Sequence, residues 1–388
     1  TSGTTGIVAT NSGSGATTIT ANGTVTGTAA QGISVTGNNA VTVNVANTVT
    51  GATRGLDLIG GTGGTGNILV QGTGGFVGGT NAANIQNNGS GTVTVNVSGA
   101  TSSTAGAGIV VRDTAAGGTI SVTTGSVTAL AVGQNGIDIQ TQSATADATI
   151  VANGNVQAGN AGLVAAIFPN AGTGNINVTA NGSIDARFGV DAENFGTGST
   201  SVTTVGPVNA TNGTGIFALT SGGNITVNAG AVTSVSNTAI IAQQNDAAQA
   251  GTINVTAGNV SGTTGIVATN FGTGTTTITA NGTVTGTAAQ GIRVNGNNAV
   301  TVNVANTVTG STFGIELVGG TGGTGNILVQ GTGGFVGGTS DAANILNNGS
   351  GTVTVNISGA SSSTAGNGIR VRDTAAGGTI SVTTGSVT

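Results

Sequence analysis

The sequence predicts an all-β chain wound as a right-handed parallel β-helix, a solenoid of about 15 coils with about 26 residues and three short strands in each. Three observations predict it. A tetrad led by a small residue and then an aliphatic recurs every 23 to 30 residues. Two further runs, alternating apolar with Thr or Asn, follow each tetrad. No segment carries a helical period.

The tetrad sets the period. It reads "GIVA" at Gly6, "GISV" at Gly32, "GLDL" at Gly55, "NIQN" at Asn84 and "GIVV" at Gly108. It continues as "GIDI" at Gly136, "GLVA" at Gly162, "GVDA" at Gly189, "GIFA" at Gly215 and "AIIA" at Ala239. The cycle then restarts with "GIVA" at Gly265, "GIRV" at Gly291, "GIEL" at Gly314, "NILN" at Asn344 and "GIRV" at Gly368.

A larger repeat contains the short one. "SGTTGIVATN" at Ser2–Asn11 returns unchanged at Ser261–Asn270. Gly3–Thr80 aligns with Gly262–Thr339, and Ala82–Thr128 with Ala342–Thr388, with one residue inserted near Ser340–Asp341. These 125 aligned positions contain 15 differences. Ten short units make up the 259-residue offset. The domain expectation is therefore one continuous β-helix over 1–388, in which 3–128 matches 262–388 and 129–261 is the remainder of the ten-coil unit.

After each tetrad comes a longer strand such as "TTITANG", "AVTVNVA" or "TVTVNVS", then a shorter one such as "TVTG" or "NVQAG". Alternation marks a half-buried strand, and the intervening Gly, Asn and Ser supply turn chemistry. It also assigns the interior: Ile33 and Val35, Val41, Val43 and Val45, Ile109 and Val111, and Ile137 and Ile139 point inward. Ser34, Thr42 and Asn44 point outward. The repeat copies agree, since outward Ser34, Val110 and Gln86 become Arg293, Arg370 and Leu346, while inward Leu56 and Val97 become only Ile315 and Ile357. A single coil cannot bury its apolar face alone, so stacking is obligatory. Fifteen coils at a ladder spacing of about 4.8 Å would make a rod near 70 Å long.

Composition excludes several classes. Gly supplies 75 residues, whereas Cys, Met, Trp, Tyr and His are absent. The six cations are all Arg, too few and too scattered for a nucleic-acid footprint. Glycine does not fall at every third position, which excludes collagen. No apolar run approaches the roughly 20 residues of a spanning helix, so no membrane crossing is expected. The chain starts without Met or a signal peptide, and an excised or processed piece of something longer is the expectation. Disorder competes as a reading of so much Gly, Thr, Ser and Asn. The mean hydropathy of +0.27 and the regular Val and Ile favour a packed interior.

Chemistry-bearing constellations are sparse. There is no His or Cys to build a nucleophile and its base, Ser falls mostly in turns, and no cofactor or metal is expected. "GGTGGTGN" at Gly60–Asn67 lacks the carboxylates of a calcium repeat. "VRDTAAGG" occurs at both Val111–Gly118 and Val371–Gly378, so its Arg-Asp pair reads as structural. The outward middle position of the tetrad is the most varied. It holds Asp57, Asp138, Asp191, Arg293, Glu316 and Arg370, and it also holds Phe217, Ile241 and Leu346. With neighbouring Glu193, this stripe is the candidate partner contact, and solubility is its plainer reading. Asp185, Arg187, Asp191, Glu193 and Phe195 form the densest charged group, where salt bridges across a turn are expected.

The recurring "GI-x-V … TVTVNV … NG-x-V-x-G" coils resemble the passenger regions of bacterial autotransporters and related haemagglutinin-like adhesins, over essentially the whole chain. The resemblance implies a right-handed β-helix exported to the surface of a Gram-negative bacterium and anchored in the outer membrane by a part outside this sequence. It also implies a role in adhesion, in biofilm formation or as a stalk. The expected function is a structural or adhesive cell-surface rod without chemistry of its own, able to self-assemble end to end. Its expected partners are a host or neighbouring-cell surface, glycan, or further copies of itself, and not nucleic acid. The alternative is a polysaccharide-active β-helix enzyme using the acidic cluster around Asp191 and Glu193.

Overall fold

The computed structural model describes residues 2–62, 64–114, 118–323, 325–375 and 378–388. Among them are 45 strands and no helix. Taking every third strand in chain order sorts them into three parallel sets of 15. The fold is an all-β parallel solenoid of the right-handed type, with about 26 residues per turn and about 14 turns. No helix is long and apolar enough to cross a membrane. The chain divides into two compact units, Thr1–Gly198 and Ser199–Thr388.

In unit 1 the first sheet begins with Ser2–Gly3, Val25–Gly27 and Val49–Gly51. The second begins with Ile7–Asn11, Ile33–Gly37 and Arg54–Gly60, and the third with Thr17–Ala21, Val41–Val45 and Ile68–Gly72. Unit 2 repeats the plan. Its third sheet begins with Thr200–Thr204 and Ile225–Ala229, its first with Val208–Ala210 and Val232–Ser234, and its second with Ile216–Thr220 and Ile240–Gln244.

The pleat puts alternate side chains on opposite faces, and stacking in register turns each position into a column. Ile33 lies beside Leu56, and Val35 beside Leu58. Val41 lies beside Ile68, and Val43 beside Val70. All of these are buried, as are Ile109, Val111, Ile137 and Ile139. Outward Ser34, Thr42 and Asn44 keep partial exposure. The first sheet places Phe76 and Phe335, the largest buried side chains, where most turns carry Val.

Two corner devices join the sheets. Before the second sheet the chain turns at a small residue because there is no room for more. A Cβ on Gly136 would lie 2.5 Å from the Gly162 carbonyl oxygen and 2.6 Å from Val156 Cγ1. After the second sheet, several turns end on a buried polar residue that serves the turn's own backbone. Asn87 Nδ2 donates to the carbonyls of Gly89 (3.0 Å) and Gly91 (2.8 Å), while its Oδ1 accepts from Gly89 N–H (3.2 Å). Asn347 does the same for Gly349 and Gly351.

The register corrects one column assignment. The tetrads at Asn84 and Asn344 sit two residues downstream of the others, because Asn84 pairs with Asp57 and Asn344 with Glu316. Leu346 therefore pairs with Val318 in the adjacent outward column. A shift of two residues preserves the in/out parity of a strand, so alternation could not detect it.

Candidate functional site: the outward stripe of the second sheet

In unit 1 the middle outward column of the second sheet runs Val8, Ser34, Asp57, Asn84, Val110, Asp138, Val164, Asp191. In unit 2 it runs Phe217, Ile241, Val267, Arg293, Glu316, Asn344, Arg370. The predicted stripe is thus a real column within each unit. Glu193 belongs to the next outward column, beside Ala166.

Most of its charges engage their own neighbours. Asp57 receives Arg54 at 2.9 Å and Asn84 Nδ2 at 2.9 Å. Asp138 is 7% exposed and accepts from Arg112 (2.8 Å), Asn135 (3.0 Å) and Gln140 (3.1 Å). In unit 2, Arg293 approaches Glu316 at 3.9 Å, and Gln290 donates to the same carboxylate at 2.7 Å. Arg370 lies 3.8 Å from Asp341, which also accepts from the Asn367 amide groups. Arg293 and Arg370 are the open members, exposed over about half of their side chains, while Phe217 is half-buried beside Ile241.

Within the acidic group, Asp191 departs from expectation. Salt bridges were expected there, but the charges that act on Asp191 are both acidic, Glu193 and Asp138. Its Oδ1 is buried and finds no hydrogen-bond partner. Apolar Val164 occupies the turn before it, and Ala166 the turn before Glu193. Burial pushes the Asp191 carboxyl up to about 7, with Glu193 and Asp138 adding to the rise, and burial also raises Glu193. Arg187 lies over the Phe188 ring, 5.4 Å from its centroid. Phe195 stacks on Phe168 at 6.0 Å.

The repeat copies distinguish the faces. Six of the ten positions in the two continuous outward columns of the second sheet in the first copy differ in the second: Ser34, Thr36, Asp57, Ile59, Gln86 and Val110. None of the ten outward third-sheet positions differs. The candidate contact inferred from the sequence lies on the variable face, whereas the constant face carries the outward Thr, Asn and Gln columns of the third sheet.

Among the described residues, no group of three or more His, Cys, Asp or Glu is gathered as for a metal ion. The repeated "VRDTAAGG" and the "GGTGGTGN" segment lie partly outside the described residues. No family model matches the chain, and neither curated proteins nor solved structures provide a match.

Proposed function

We propose that this chain is a stalk-like, adhesive segment of an exported bacterial surface protein, presenting repeated side-chain columns and performing no chemistry itself. The observation that carries this reading is the column architecture: charges such as Asp57, Asp138 and Glu316 are engaged by residues of the same or the adjacent turn. A solenoid of this kind lengthens by adding turns. The resemblance of its coils to autotransporter passengers supports surface display. Antibody against residues 1–388 should label intact, unpermeabilised cells producing the parent protein. Labelling that requires permeabilisation overturns the reading.

One observation favours a second reading. Asp191, protonatable near neutral pH beside Glu193, offers the acid-and-carboxylate pairing used by glycan-cleaving enzymes. A cleavage screen on neutral and acidic polysaccharides, with Asp191→Ala and Glu193→Ala as controls, separates the two. Cleavage abolished by either substitution would replace the stalk reading with an enzyme.

A further inference from the structure

The same open groove is built twice, once in each unit, where the third sheet turns toward the first. In unit 1 it has a volume of about 520 Å³ and is lined by Asn22, Asn44, Gln71, Gly72 and Asn96. In unit 2 it has a volume of about 500 Å³ and is lined by Asn281, Asn303, Gln330, Gly331 and Asn356.

A glycine of unusual backbone conformation lines each groove. Gly72 lines the groove, paired with Val97 on one side and lying against the Val45 backbone on the other. Its φ of 138°, matched by 142° at Gly331, belongs to glycine. A Cβ on Gly72 would stand 2.0 Å from the Val45 carbonyl oxygen. No side chain can be added at this position without moving backbone.

The walls are amides tied into a ladder. Gln71 Nε2 donates to Asn44 Oδ1 at 2.9 Å, and Asn44 Nδ2 donates to Thr20 Oγ1 at 3.3 Å. Gln330, Asn303 and Thr279 repeat this at 2.9 and 3.2 Å. Each primary amide has two N–H donors and two acceptor lone pairs, so Asn44, spending one donor and one lone pair on this ladder, keeps one of each for a ligand. A sugar hydroxyl both donates and accepts, and such a surface suits it. Successive rungs stand about 4.8 Å apart, comparable to the rise of one sugar in an extended β-linked chain. No ionisable side chain lines either groove, and the net charge of −5 disfavours a polyanion. All of the lining residues are identical between the two copies, although the second-sheet face has diverged.

We propose that these grooves bind a neutral, extended polysaccharide, one chain segment per groove, through the Asn44–Gln71 and Asn303–Gln330 ladders. This goes beyond the stalk reading and does not rest on it, because it concerns the purified chain and not its display.

The test is calorimetric titration of the purified chain with cellohexaose and chitohexaose, with hexagalacturonate as the anionic comparator. The expected result is binding of at least one neutral hexamer at two equivalent sites, and weaker or undetectable binding of the anion. The combined Gln71→Ala and Gln330→Ala variant should weaken binding at least tenfold with an unchanged circular dichroism spectrum and melting temperature. Should that variant misfold, Gln71→Asn with Gln330→Asn, which shortens the ladder but keeps its amides, should still weaken binding. Failure of both neutral hexamers to bind at millimolar concentration overturns the proposal. So does equal binding of the anion, or affinity that survives the substitutions in a folded variant.

Discussion

Arg112 reaches across one turn to hold Asp138 twice, its guanidinium donating to the carboxylate at 2.8 Å and to the backbone carbonyl of the same residue at 3.0 Å. The carboxylate is nearly buried, so the cation that faces it matters more than a surface partner would. Arg112→Ala should weaken this part of unit 1 by about 2–3 kcal/mol, the usual scale for losing a hydrogen bond to a charged group. Arg293→Ala should cost less than about 1 kcal/mol, because its pair is longer and more exposed. Native-state hydrogen exchange, read turn by turn, compares the two.

Asp191 should make unit 1 more stable in mild acid than at neutral pH. Its folded carboxyl titrates at about 7, against an ordinary value of 3.8. Between those values the folded state holds a proton that the unfolded state has released, so stability falls as pH rises through that window and levels off above it. At about 1.4 kcal/mol per pH unit, the effect is on the order of 4 kcal/mol. Asp191→Asn should flatten the profile and raise the melting temperature at pH 8. Thermal unfolding from pH 4 to pH 8 measures it, and a wild-type profile that rises with pH contradicts the assignment.

Asn87 is buried, holds the turn that follows it with its side chain, and also donates to the Asp113 carboxylate at 3.3 Å. Asn87→Ala leaves those carbonyls and an N–H without their partner, at a cost of about 1–3 kcal/mol. Faster amide exchange at Gly89, confined to the adjoining turns, would be its signature.

Gly136 has backbone and Val156 where a side chain would go. Gly136→Ala should destabilise by about 1–3 kcal/mol through overpacking. Gly23→Ala, with nothing within 4 Å of the new methyl group, should be close to neutral. Paired chemical denaturation of the two variants checks the contrast.

The groove and the charged stripe were legible to different degrees. Asp57, Asp138 and Asp191 are legible as one column because their tetrads share a leading Gly. The column of Leu346 is not legible, because Ala342 stands where that Gly would be, two residues before Asn344. Gln71 and Asn44 gave no signal of contact, being 27 residues apart in a chain rich in polar residues.

The sequence by itself determined the turn. Its period, its three strands and the inward columns of Ile33, Val41 and Ile137 follow from apolar alternation, which is a local property of the pleat. Only the tertiary structure decided which residues of successive turns face one another. Variable turn lengths set that register, and with it the Arg112–Asp138 pair, the uncompensated burial of Asp191 beside Glu193, and the amide ladder over Gly72. Those relationships span whole turns, and no local pattern encodes distance between side chains that meet only after the chain has gone around.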